Sequence, residues 1–415
     1  MEMKSVAIIG AGISGLTVAN ILKEKFKVKV YEKENKPGGL IRCERVNGNL
    51  FHICGGHVFN TKRMNVLEWF WNKFNRDLEF QKSDRNAVVC LGNNLVVPYP
   101  IENHIYKCDA EFQKNVIEDL LKITAEGKSE PSNFEEFLIQ RFGKSLYELY
   151  FKPYNEKVWR RDLKKVPLSW LEGKLPMPNV NEIIFNNINK VKEKEFVHST
   201  FWYEKNNGSQ HIADKLAEGI DIEYDHGIRD IKQIDGKWCI DSEIFDIVVF
   251  CGNIKELPLM LKDEVLSKHS RKIENLEYHG TTSVFCHVDK NPYSWIYMPS
   301  DEYKAHRIIC TGNFAASNNA EGDFTATIEF TDYITEEEIK ENLKKIPFAP
   351  RYIAHKYNKY SYPIQFSDTR KLIKDIKEEM EKKQFFMTGR FVDWEYYNMD
   401  VAMDAAMKTC EKIHQ

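Results

Sequence analysis

Ser5-Val-Ala-Ile-Ile9, Gly10-Ala-Gly12-Ile-Ser14-Gly15, the stretch Leu16 to Phe26, Val28-Lys-Val-Tyr31 and Glu32 together decide the fold. The order is apolar strand, glycine turn, helix-like segment, second strand, acid. Glu32 lies 17 residues beyond Gly15, close to the ~20 expected of a dinucleotide-binding unit. Each part has a physical task. Gly10 makes the tight turn, Gly12 lets backbone approach a pyrophosphate, and Gly15 lets helix pack on strand. Ser14 lies in the glycine turn that leads into the helix, whose N-terminal N–H groups can meet phosphate oxygens. Glu32 can accept hydrogen bonds from ribose hydroxyls. The reading is a dinucleotide-binding α/β domain at the start of the chain.

Just beyond the acid, Lys36-Pro-Gly-Gly39-Leu40-Ile-Arg42 supplies a second glycine pair past which an extended cofactor can run. The segment Glu32-Lys33-Glu34-Asn35-Lys36-Pro37-Gly38-Gly39 resembles the FAD-binding signature of the amine-oxidase-like flavoprotein superfamily. That resemblance, rather than the spacing, makes FAD the expected cofactor.

The 415 residues are enough for two to three domains. Lys and Arg total 59 against 62 Asp and Glu, a net charge of -3, which gives no nucleic-acid footprint. Apolar runs such as Ile247-Val-Val-Phe-Cys251 fall far short of the ~20 residues of a membrane span. The first strand follows directly on the N-terminus with no separate apolar leader, so a cytoplasmic location is expected. The nine cysteines are scattered, without a Cys-x-x-Cys pair, so no metal site and no disulfide framework is expected. Cys54 and Cys251 read as small core residues.

Residues 1–75 begin the nucleotide domain. Ala87 to Leu91 and Asn94 to Val97 read as two strands joined by a turn, and Phe112–Ala125, Asn133–Phe142 and Leu146–Val158 as helices. Residues 195–205 and 275–333 are rich in β-branched and aromatic residues, as in an antiparallel sheet. Ile220–Tyr224 with Asp246–Gly252, and later Gln384–Arg390 with a helix from Val401 to His414, read as two returns to the nucleotide domain. The expected fold class is α/β, a Rossmann-like FAD-binding domain interrupted by a helical domain and an antiparallel β-sheet domain. The expected boundaries are 1–80 plus 210–265 plus 380–415 for FAD, 100–190 for the helical domain, and 81–99 plus 191–209 plus 266–379 for the sheet domain.

Other stretches carry chemistry only as a set. In Gly55-Gly56-His57-Val-Phe59 a glycine turn can press backbone against a flat ring, with His57 near its edge. Tyr154-Asn155-Glu-Lys-Val-Trp159 places aromatics near a helix end. Trp295-Ile-Tyr297 and Arg307 lie on strand-like segments. Gly389-Arg390 and Tyr396-Tyr-Asn398-Met399-Asp400-Val401 lead into the last helix, where N–H groups can meet a cofactor.

Taken in order from Gly10 to Asp400, these stretches resemble the UDP-galactopyranose mutase family, closer to its eukaryotic type. The most specific pieces are Gly55–Phe59, Pro153–Trp159 with Trp170-Leu171, Trp295 to Arg307, and Gly389–Tyr396. The resemblance implies reduced FAD whose N5 acts as nucleophile at a sugar anomeric carbon, interconverting pyranose and furanose forms of a nucleotide-sugar without net redox. It implies that Arg307 grips the diphosphate beside Tyr297, Tyr362 and Tyr396, and that Tyr154, Asn155, Trp159 and Trp295 lie at the substrate. It also places Tyr99 at the nucleoside, Asn398 at the substrate as an asparagine of the eukaryotic type, and His57 and Gly56 at the flavin. Lys174 stands for a second, loop-borne arginine, keeping charge without the bidentate fork. Phe314 replaces a tyrosine, Glu102 a glutamine and His198 an asparagine, so sugar and base specificity are open. NAD(P)H or another reductant would dock transiently, and a homodimer is expected because the long eukaryotic insertions are absent. The alternative is an FAD-dependent amine-oxidase-like oxidoreductase, which the fold alone would also allow.

Overall fold

The structure is a computed structural model and describes residues 3–92, 95–127, 130–168, 178–191 and 200–414. Lys174, Trp170, Leu171 and His198 lie outside the described residues.

Ser5–Ile9 is the middle strand of a five-stranded parallel sheet. Lys27–Tyr31 and then Asp221–Glu223 lie on one side of it, Ile247–Phe250 and then Phe385–Met387 on the other. The chain leaves this sheet and returns three times, and the intervening residues build the other layers. Alternation along the strands splits two cores. Val6, Ile8, Val30 and Val249 face one cluster under the helices Ile13–Leu22, Ser209–Ala217 and Met399–Ile413. Ala7, Ile9, Val248 and Phe250 face the other, closed by Trp238, Leu266 and Ile376. Between Glu223 and Ile247 the connection is a three-stranded antiparallel sheet, Ile231–Ile234, Lys237–Ile240 and Glu243–Phe245.

A seven-stranded mixed sheet forms the second layer, in the order Arg351–Ile364, Glu277–His287, Thr325–Thr331, Arg307–Ile309, Trp295–Tyr297, Ala87–Cys90, Val96–Pro98. Thr200–Glu204 does not join it but pairs with Phe80–Asp84 as a separate ribbon. The helices Ala110–Glu126, Phe134–Phe142 and Lys152–Trp159 pack around Leu120, Phe134, Leu138, Phe142 and Phe151. Among the described residues no helix is long and apolar enough to cross a membrane.

Candidate functional site

The glycine turns converge at the N-terminus of the helix Ile13–Leu22, where the first N–H groups have no intrahelical acceptor. A Cβ on Gly15 would fall 1.9 Å from the Gly10 carbonyl oxygen, so helix and turn meet only because that atom is missing. Gly38 N–H donates to the Ala11 carbonyl at 2.8 Å and draws in the second glycine pair. A Cβ on Gly39 would stand 3.3 Å from the Gly12 Cα. From the far end of the chain, Gly389 closes on the same point, where a Cβ would lie 3.3 Å from Ser14 Oγ.

Glu32, 7% exposed, accepts from Ala11 N–H at 2.7 Å with one carboxylate oxygen and from Glu34 N–H at 3.0 Å with the other. It therefore braces the glycine turn, and each oxygen keeps a lone pair for a further donor. Lys33 is exposed and lies 4.0 Å from the Glu256 carboxylate. Leu40 is half-buried against the second core. Asn398 is exposed as the N-cap of the last helix and makes no side-chain cap bond, Met399 is buried, and Asp400 and Val401 are half-buried in its first turn.

Gly55 and Gly56 carry a second turn. A Cβ on Gly56 would come within 2.7 Å of Ile309 and 3.3 Å of the Trp295 indole nitrogen. His57 donates its backbone N–H to His52 Nδ1 at 3.3 Å. Burial, then the nearby Arg390 charge, lowers the His57 pKa to about 4, and the ring is neutral at pH 7. His57 Nε2 and Arg390 Nε are buried with no hydrogen-bond partner among the described residues. With the glycine cradle and the bare helix N-terminus, these orphaned atoms fit an extended flavin dinucleotide. FAD is the cofactor for which these residues are suited.

Beside that turn, the seven-stranded sheet sets Tyr297, Arg307 and Glu329 in one transverse row of directly paired residues. Arg307 Nε donates to Glu329, and its Nη2 to the Tyr362 hydroxyl at 3.3 Å. Burial alone would raise the Glu329 pKa, but the Arg307 and His306 beside it hold the carboxyl well below the usual range. Tyr362 stacks on Tyr396 at 5.2 Å, with the Arg390 guanidinium 4.2 Å from the Tyr396 ring. Tyr154 meets Tyr297 edge-on at 5.4 Å, and Tyr99 meets it at 4.9 Å. Burial keeps the Tyr154 and Tyr362 phenols protonated far above the ordinary range, against the pull of Arg307. The face thus offers a cation and several hydroxyl donors, a set suited to an anionic group.

Not every expected residue points there. Asn155 Nδ2 donates to the Phe151 carbonyl of its own helix at 2.7 Å. Trp159 is buried at the helix end, its carbonyl accepting from His279 Nε2 at 2.6 Å, and its ring lines a cleft with Tyr396, Pro363 and Gln365. Trp295 packs on Phe314 at 4.7 Å, and Phe314 is fully buried among Trp295, Phe201 and Tyr203. Phe314 is therefore a core ring. Glu102 is buried, which pushes its carboxyl up to about 7.

Three residues escaped the sequence reading. Arg85 donates to the Tyr297 hydroxyl at 2.9 Å and lies 5.1 Å over the Trp295 ring. Lys157 spans from the helix to the carbonyls of Met298, at 3.0 Å, and Tyr303, at 2.7 Å. Glu329 is fully buried. A lone acid in the apolar run Thr327-Ile-Glu-Phe-Thr331 was the available signal.

Comparison with known proteins agrees with this layout. A family profile described as an NAD(P)-binding Rossmann-like domain matches residues 8–74. A probable UDP-galactopyranose mutase of Klebsiella pneumoniae is 32% identical over 45% of this chain and 49% of its own, so the chain spans about half the length of that relative. A dTDP-fucopyranose mutase of Escherichia coli is 26% identical over 73% of this chain and 79% of its own. The chain is thus similar in sequence to a UDP-galactopyranose mutase over about half its length and to a dTDP-fucopyranose mutase over about three quarters. The fold agrees over the whole length: a crystal structure of reduced UDP-galactopyranose mutase superposes with a TM-score of 0.87 at 20% identity, covering 99% of this chain and 95% of that one.

Proposed function

We propose that the protein is a flavin-dependent nucleotide-sugar mutase that interconverts pyranose and furanose forms, with UDP-galactose or a related sugar nucleotide as substrate. The observation that carries this reading is the single row Tyr297–Arg307–Glu329, faced by protonated tyrosines and adjoining the Gly55–His57 turn. When bound, reduced FAD would supply a nucleophilic N5 for chemistry at the anomeric carbon without net redox.

Gly10, Gly12, Ser14, Gly15, Gly39 and Gly389 would hold the dinucleotide, with Arg390 near it. Arg307 would take the diphosphate, and its always-charged guanidinium would stabilise the charge that grows as the sugar–phosphate bond breaks. Tyr297, Tyr362 and Tyr396 would donate to the same oxygens. The free nucleotide would stay against Tyr99 and Tyr154 until the sugar recloses, an advantage of proximity. Neutral His57 can accept or donate a hydrogen bond at the cofactor turn without placing a second cation there. Lys174 would bring a further charge to the diphosphate.

The test is isomerisation by the dithionite-reduced holoenzyme of a panel of UDP-, dTDP- and GDP-pyranoses, followed by chromatography. A furanose product that appears only after reduction is expected. A panel left untouched would overturn the reading, and steady acceptor consumption with an amine would favour an oxidoreductase.

A further inference from the structure

One carboxylate joins the two parts of the site. Glu329 is fully buried, and its two oxygens are divided between partners far apart in sequence. Oε2 binds Arg307 Nε, with His306 Nε2 behind it at 3.5 Å. Oε1 accepts the backbone N–H of Gly55 at 2.7 Å. Gly55 has φ +72° and opens the turn that presents His57. The flanks of the turn are held separately, by Asn358 Nδ2 donating to the Ile53 carbonyl at 2.5 Å, Ile53 N–H to the Arg42 carbonyl at 3.2 Å, Cys54 Sγ to Ser361 Oγ at 3.5 Å and His57 N–H to His52 Nδ1 at 3.3 Å, while the Gly55 N–H itself is held by Glu329. Moving the Glu329 carboxylate would therefore act on both the Arg307 guanidinium and the Gly55 end of the turn.

We infer that Glu329 is a positioning residue that fixes the Arg307 guanidinium and the Gly55–His57 turn as one unit, so that the anion-gripping group and the cofactor-facing backbone keep a set separation. The inference rests on the assignment of Arg307 to the diphosphate and of the turn to the flavin. A carboxylate suits this role because it accepts on both oxygens and carries the charge that balances a buried guanidinium. An amide accepts on one side only and would turn an N–H donor toward Arg307 or toward Gly55.

The experiment compares wild type, Glu329→Gln, Glu329→Asp, Arg307→Lys and the Glu329→Gln/Arg307→Lys double variant as FAD-loaded proteins. Three readouts are taken: the midpoint potential of the bound flavin, the UDP affinity by calorimetry, and kcat and KM where turnover is found. Glu329→Gln should raise the flavin potential, because a buried negative charge near the ring is lost, and should cut kcat about a hundredfold. Glu329→Asp, which keeps the charge but is one methylene short, should hold the potential near that of wild type while kcat falls. The losses of Glu329→Gln and Arg307→Lys in kcat/KM should be far from additive, since each breaks the same unit. Additive losses, or a flavin potential in Glu329→Gln equal to that of wild type, would overturn the inference. Potential and UDP affinity need no turnover, so they judge Glu329 even if every sugar nucleotide is refused. If Glu329→Gln fails to fold, Glu329→Asp carries the test: a UDP affinity and a potential both unchanged, with kcat intact, would count against the role.

Discussion

In the glycine cradle the backbone itself is the surface on offer, and what matters is the absence of side chains. At the tyrosine–arginine face the backbone is ordinary sheet, and side chains supply the polar groups. Gly10, Gly12 and Gly15 lie within one turn and helix start, whereas Tyr154, Tyr297, Arg307, Tyr362 and Tyr396 come from a helix, three strands and a loop. The first region fails by addition of a carbon, the second by loss of a charge or a hydroxyl. A cradle built from local geometry is sensitive to shape alone. A face assembled across a sheet depends on register and on the buried charges that balance one another.

The sharpest way to break the cradle is Gly15→Leu. Its Cβ would overlap the Gly10 carbonyl, a backbone atom that cannot rotate away, so a loss beyond about 4 kcal/mol is expected. Chemical denaturation and the flavin content of purified protein measure it, and a stable, flavin-loaded variant would refute the tight helix–turn contact. Arg307→Ala should act on the other region, with kcat down about 10²–10³-fold and Glu329 left buried without its partner. Turnover within threefold of wild type would remove Arg307 from the diphosphate.

A smaller effect is expected at Glu102. Its folded pKa of about 7 lies above the unfolded value, so the folded state holds the extra proton. Stability should be full below about pH 4.5 for this group and should fall as pH rises toward 7, by roughly 2–3 kcal/mol in all. Glu102→Gln should flatten that slope in denaturation curves taken at pH 5 and pH 8; an unchanged slope would place the carboxyl in contact with water. The smallest effect is expected from Lys33→Ala. Though Lys33 stands inside the cofactor-binding signature, its side chain is exposed and its ion pair long, so a change under about 0.5 kcal/mol in stability is expected. A marked loss of FAD affinity instead would show that the lysine meets the cofactor.

The returns to the first sheet were legible because Ile247–Phe250 and Phe385–Met387 are short apolar runs at central or covered positions. The long strand Arg351–Ile364 was not. It is the edge of its sheet, and its first ten residues are exposed or half-buried on both faces, so Lys, Arg, His and Asn interrupt any alternation. The family stretches gave Arg307 and the tyrosines, but not Glu329 or Arg85, whose importance lies in what they touch.

The sequence by itself determined the strand–turn–helix–strand unit and its glycine cradle. There every determinant is local: apolar period, a missing Cβ, a helix N-terminus, an acid one strand later. Only the tertiary structure decided that Glu32 braces the turn, that Phe314 is a core ring, and that one buried carboxylate ties Gly55 to Arg307, 252 residues further on. Those outcomes depend on strand order and register, which bring distant residues to hydrogen-bonding distance and leave no trace in the spacing of the chain.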